Sequence, residues 1–123
     1  MKALSMKTFT RCLCTSWFMI FCHLSVLANG YEQKQIMDNE RVRILIVTCP
    51  PGAESPSVVR TQDRVVYALE GGTIQRNYAN GQDSIIEYKK GDAFFSNSPE
   101  DKLQYAIKNI GATTVILQVI YLK

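Results

Sequence analysis

At 123 residues, 46% hydrophobic and 20% charged, the chain has the make-up of one ordinary globular domain, not of a disordered or collagen-like polymer. Its formal charge of +3 comes from Lys2, Lys7 and Arg11 near the start, beyond which 11 basic side chains face 11 acidic ones. That balance argues against a nucleic-acid partner, and His23, the only histidine, precedes the body of the chain, which excludes histidine acid/base chemistry and histidine metal sites there.

Residues 1–28 carry a basic start, an apolar stretch from Cys12 to Leu27, and small residues at Val26 and Ala28, the order of a secretory signal peptide. Cleavage is expected after Ala28, with the Gly30 bond as the other option, and Met6 could equally be the true start. Thr15, Ser16, His23 and Ser25 interrupt the apolar run, a poor match to the roughly 20 apolar residues of a membrane span. The alternatives are an uncleaved anchor or a helix packed on the domain. Cleavage would remove Cys12, Cys14 and Cys22 and leave Cys49 without an intrachain partner, as a buried inert thiol at the end of an apolar strand. The expected location is secreted or periplasmic, with no membrane contact once the signal is gone.

Residues 29–39 read as a lead-in. Then β-rich runs alternate with turn residues: Arg41 to Cys49, stopped by Pro50-Pro51-Gly52; Ser57 to Thr61; Arg64 to Leu69, ended by Gly71-Gly72. Thr73 to Tyr78 and Ser84 to Tyr88 flank Asn80-Gly81, a hairpin signal. A two-residue turn there sets Arg76 opposite Ile85 and diagonal to Glu87. Lys90-Gly91-Asp92 turns the chain into Ala93 to Phe95, of which one phenylalanine should face in and the other out. Leu103 to Lys108 and Thr113 to Leu122 complete the set. No amphipathic helical period runs over 11 or more residues, so about eight strands in 40–122 predict an all-β sandwich or small barrel. Along the last strand Val115, Leu117, Val119 and Tyr121 share one face and Ile116, Gln118, Ile120 and Leu122 the other, and whichever face points out could join the outward phenylalanine in a subunit contact.

From Glu40 to Leu122 the chain resembles the cupin superfamily, jelly-roll β-barrels whose first motif is G(X)5HXH(X)3-4E(X)6G. Gly52, Val58, Arg60, Val65 and Gly72 fit that spacing, and Pro51-Gly52 and the run from Val65 to Gly72 share its texture. The second motif, G(X)5PXG(X)2H(X)3N, starts at Gly91 and ends at Asn109. Counting back from Asn109 puts Tyr105 at the histidine position, whereas counting forward from Gly91 puts Lys102 there; the run from Tyr105 to Gly111 favours the former. The resemblance implies a cupin-like barrel and a homodimer. The family's metal ligands are replaced by Val58, Arg60, Val65 and Tyr105; valine has no lone pair and arginine stays protonated, so the first-motif positions cannot bind a transition metal, and Tyr105 alone does not make a site. Neither a metal nor another cofactor is therefore expected, and the metal-dependent dioxygenase, isomerase and decarboxylase activities of the family do not carry over.

Alternation puts residues 58 and 60 on one inward face. Arg60, with Tyr105 and Tyr67, could hold a small anionic or sugar-like ligand where the metal would sit. Equally, Arg60 could reach the barrel mouth or pair with a carboxylate while Val58 and Val65 fill the core. The expectation is thus an exported, non-catalytic ligand-binding or interaction module. The alternatives are a metal-independent enzyme of the epimerase or isomerase type, with Tyr105 as acid and a base not evident at any motif position, and a structural dimeric remnant of a metal-dependent cupin.

Overall fold

The computed structural model describes Ser25, Val26 and residues 30–123. Apart from those two residues, the expected signal segment lies outside the described part. The elements are β1 (Ser25–Val26), β2 (Glu32–Asp38), β3 (Val42–Cys49), β4 (Arg64–Glu70), β5 (Gly72–Tyr78), β6 (Asp83–Tyr88), β7 (Ala93–Ser96), a 3-10 turn (Glu100–Lys102), β8 (Tyr105–Asn109) and β9 (Val115–Leu122). They form a six-stranded sheet in the order β1-β2-β3-β9-β4-β7 and a three-stranded sheet in the order β6-β5-β8. Every pairing within them is antiparallel.

The core follows from alternation along the β-branched strands. Leu45, Val47 and Cys49 on β3, Val66 and Ala68 on β4, Ile74 on β5, and Val115, Leu117, Val119 and Tyr121 on β9 are all buried. These residues point into the space between the sheets, so the other face of β9 points out. On β7, Phe94 turns towards Tyr88, with ring centroids 5.5 Å apart, and Phe95 projects outward, 58% exposed.

Three expectations change. The lead-in is in fact largely β2, which pairs with β3 from Glu32↔Thr48 to Asp38↔Arg43, with an irregularity between Gln35 and Met37. Its polar sequence is that of a strand whose side chains are mostly exposed, and the neighbouring β3 supplies the pairing that local propensity does not. Ser57 to Thr61 is not a strand: Val58 makes one isolated bridge to Tyr105, and Val58 and Val59 lie exposed.

The third change is one of register. Tyr78 N–H donates to the Gln82 carbonyl and Gly81 N–H to that of Tyr78, which leaves a three-residue loop, Ala79-Asn80-Gly81. Gly81 takes the positive φ of +92° that this loop requires. Arg76 consequently lies opposite Ser84, not Ile85. A slip of one residue exchanges the partners of a whole face: Arg76, which alternation along β5 places on the inner face with Ile74, is flanked there by Ser84 and not by Ile85 and Glu87.

Candidate functional site

The barrel interior holds a cavity of about 50 Å³ whose walls include Leu45, Val47, Val66, Leu117 and Val119. Into this apolar setting project Arg60, Arg64 and Arg76, together with Tyr31, Tyr88, Tyr105 and Tyr121. Arg64 opens β4 and Arg76 sits mid-β5, both pointing inward by strand alternation. Arg60 comes from the irregular stretch before β4, and Tyr105 starts β8.

Tyr105 is the hub. Arg64 Nη2 donates to its hydroxyl at 2.7 Å, and the guanidinium carbons of Arg60 and Arg76 lie 4.3 and 4.6 Å from its ring centroid. Cation–π contacts of this kind contribute roughly 0.5–2 kcal/mol each and help like charges to share a small space. Tyr78 packs on the same ring at 5.4 Å.

The nearby carboxylate is Asp101, on the 3-10 turn, which accepts from Arg76 Nη1 at 2.7 Å and from the Ser98 backbone and hydroxyl. Burial pushes the Asp101 pKa up, but the bonds from Arg76 and Ser98 outweigh it and hold the carboxyl below its ordinary value. Burial likewise works against the Arg76 charge, while Tyr105, Asp101 and Tyr78 more than offset it, so its pKa is raised. Burial also raises the phenols of Tyr88 and Tyr31, the latter to about 12.

Arg60 Nη1 donates to the carbonyls of Val58 and Tyr105, at 3.2 and 3.1 Å. Arg64 is 2% exposed, and its Nη2 also reaches the Asp101 carbonyl at 3.3 Å. Its other terminal nitrogen, Nη1, is buried with no hydrogen-bond partner. An orphaned buried donor costs on the order of 1–3 kcal/mol, more when charged.

Of the residues expected at the site, Arg60 and Tyr105 are brought together there. Tyr105 lies buried on the inner face, whereas Lys102 pairs with Asp63 at 2.8 Å. Tyr67 does not join them: it is 38% exposed on the outer face of β4, where odd-numbered residues point away from the cavity. Val65 shares that outer face and does not fill the core. Val58 is 42% exposed and lines an outer recess of about 280 Å³ instead, which it shares with Arg60.

Arg64, Arg76 and Asp101 went unread in the sequence. The family motif permits three residues as well as four after its second histidine, and the shorter spacing places Arg64 at the glutamate position and Gly71 at the closing glycine. Reading Arg76 required knowing which face of β5 turns inward, and Asp101 carries no local signal. Cys49 is buried, its thiol pKa is raised by burial, and it does not line the cavity. Its carbonyl takes a 2.7 Å bond from the Asn109 side chain, which also reaches the Thr113 carbonyl and pins the β8–β9 turn.

A cupin metal does not fit these residues. Valine has no lone pair, arginine stays protonated, and among the described residues no three histidine, cysteine or acidic side chains are grouped to hold an ion.

No protein-family model matches the sequence, and no curated protein matches it significantly. Solved structures do match in shape. A cupin domain from Bordetella pertussis Tohama I aligns with a TM-score of 0.69 at 20% identity, over 80% of this chain and 99% of that one. A protein with a double-stranded β-helix domain from Klebsiella pneumoniae aligns with a TM-score of 0.60 at 14% identity, over 81% and 83%. The polyketide cyclase RemF from Streptomyces resistomycificus aligns at 0.57 and 13% identity, over 80% and 72%. Two facing antiparallel sheets around an interior cavity, matched to these structures across four-fifths of its length, give this chain the cupin fold.

Proposed function

We propose that the chain is a non-catalytic binding module that takes a small anion in the interior of its barrel. The observation that carries this is the orphaned Arg64 Nη1, buried in a cavity walled by three guanidinium groups, of which only Arg76 has a carboxylate partner, Asp101. Burying an unsatisfied cation is costly, and an oxyanion accepting from it removes the cost while pairing the charge.

A catalyst at this site would need a base. Asp101 is a poor one, since it is already neutralised by Arg76 and its pKa is lowered. The groups of the cavity wall itself are arginine, phenol, amide and hydrocarbon.

Binding is tested by thermal unfolding of the purified protein against acetate, sulfate, phosphate, neutral sugars and divalent metals. The expected result is saturable stabilisation by anions, about 2.7 kcal/mol at a hundredfold excess over Kd, and none by sugars. Strong stabilisation by a transition metal at neutral pH, or by sugars alone, would overturn the proposal.

Export and dimerisation belong to the same picture. The basic and apolar segments before Ala28 support secretion or a periplasmic location. The outward row of Ile44, Ile120, Val65 and Phe95, adjacent across β3, β9, β4 and β7, supports a contact between two copies.

A further inference from the structure

The three arginines of the cavity are not equivalent in charge balance. Arg76 is neutralised by Asp101. Arg60 and Arg64 donate only to neutral acceptors, the carbonyls of Val58, Tyr105 and Asp101 and the Tyr105 hydroxyl. Neither takes part in an ion pair among the described residues. Both line the same cavity, and both touch Tyr105, so one small ligand can reach the two of them. Two cations without an acidic partner, Arg64 buried and Arg60 half-buried, repel each other and bear desolvation costs, the larger falling on Arg64. A neutral ligand leaves both costs in place, and a singly charged one leaves half.

Size narrows the choice further. A volume of about 50 Å³ has room for roughly three to five water-sized groups. That suits the oxygens of a phosphate, sulfate or oxalate and excludes a whole hexose or nucleoside from the inner chamber. The outer recess of about 280 Å³ shares Gln33, Leu45, Arg60 and Tyr121 with the cavity and adds Thr61 and Gln62. A neutral, hydroxyl-bearing body attached to the anion would find amide and hydroxyl partners there.

We infer that the cavity is selective for a doubly charged oxyanion, seated between Arg60 and Arg64. This rests on the anion-binding proposal above and sharpens it from anions in general to dianions. The same chemistry can arrive as a free ion or as the terminal phosphate of a small molecule whose body occupies the outer recess.

The test is calorimetric titration of the purified protein at constant ionic strength with oxalate, sulfate and hydrogenphosphate, with the monoanions acetate and methyl sulfate, and with glycerol phosphate. Dianions should bind at least tenfold tighter than monoanions of similar size, a difference of about 1.4 kcal/mol. Glycerol phosphate binding should strengthen as pH rises through about 6, where the ester loses its second proton and arginine does not titrate. Tighter binding of glycerol phosphate than of hydrogenphosphate identifies a head group of a larger molecule, and the reverse order a free ion; both support the inference. Monoanions within twofold of dianions would overturn it and leave the anion-binding proposal standing, whereas no response to any anion overturns both. Arg60→Gln, at the partly exposed mouth, should abolish the preference for dianions without unfolding the barrel, and Arg64→Lys, which keeps the charge but loses the planar fork, should weaken it. A preference undiminished in Arg60→Gln also overturns the inference.

Discussion

Asp101 and Arg76 form an ion pair whose side chains are mostly shielded from water, so removing the carboxylate charge strands a cation inside the barrel. Asp101→Asn keeps the shape and one acceptor, and a loss on the order of 2 kcal/mol is expected in urea unfolding. The sign of the pH effect follows from the lowered Asp101 pKa. Its stabilisation is fully present above the ordinary carboxylate pKa of about 4 and is lost as pH falls through that value and then the lower folded one. Stability measured across that window should fall less steeply in Asp101→Asn than in the parent. Arg64 should behave oppositely. Arg64→Met replaces a half-satisfied charge with hydrocarbon of similar length, and the variant should unfold within about 1 kcal/mol of the parent, or be more stable, while losing its response to anions. A destabilised variant that still bound anions would refute a binding role for this side chain. Arg60 and Tyr105 were legible in the sequence because the motif spacing singles them out. Arg64 was not, because its neighbour Val65 satisfies the longer permitted spacing equally well and only the strand's facing decides between them.

Between elements, two of the three glycines of the β4–β5–β6 region, Gly71 and Gly81, do different work. Gly81 needs its positive φ but has open space around it. Gly81→Ala should therefore cost only the backbone strain, about 1–2 kcal/mol. At Gly71 a Cβ would run into the Tyr88 carbonyl and the backbone of Lys89 and Lys90, all main chain and unable to yield cheaply. Gly71→Ala should be the more damaging of the two by thermal melting, and the reverse order would mean that the β4–β5 join relaxes freely. Strand content was largely readable, since β3, β4 and β9 are dense in β-branched residues between turn signals. What escaped was set by partners distant in sequence. The polar β2 is a strand only because β3 offers its edge, and Val58 has strand propensity without a continuous neighbour. In the hairpin, Asn80-Gly81 announced a turn but not its length, and that one residue decided which β6 side chains share a face with Arg76.

For the molecule as a whole, the outward face of the six-stranded sheet is the surface to test for self-association. Phe95→Glu places a charge at its most exposed aromatic position, across from Val65. Analytical ultracentrifugation should give a dimer for the parent and a monomer for this variant, with the far-ultraviolet circular dichroism of both alike. A monomeric parent would remove the proposed homodimer. Cupin architecture was legible from motif spacing and turn signals, whereas the charged interior was not, because it gathers Arg60, Arg64, Arg76 and Asp101 from four separate stretches of chain. Tyr31 closes the cavity from the residue just ahead of β2, buried and donating to Gln33 at 3.2 Å. Proteolytic trimming after Ala28 would leave this tyrosine two residues from a freshly made α-ammonium group. Trimming at the Gly30 bond would bring that extra positive charge to Tyr31 itself, a residue of the cavity wall. Under the proposed export and anion binding, the untrimmed chain and its two trimmed forms should differ in how strongly they attract anions, the form that begins at Tyr31 most strongly.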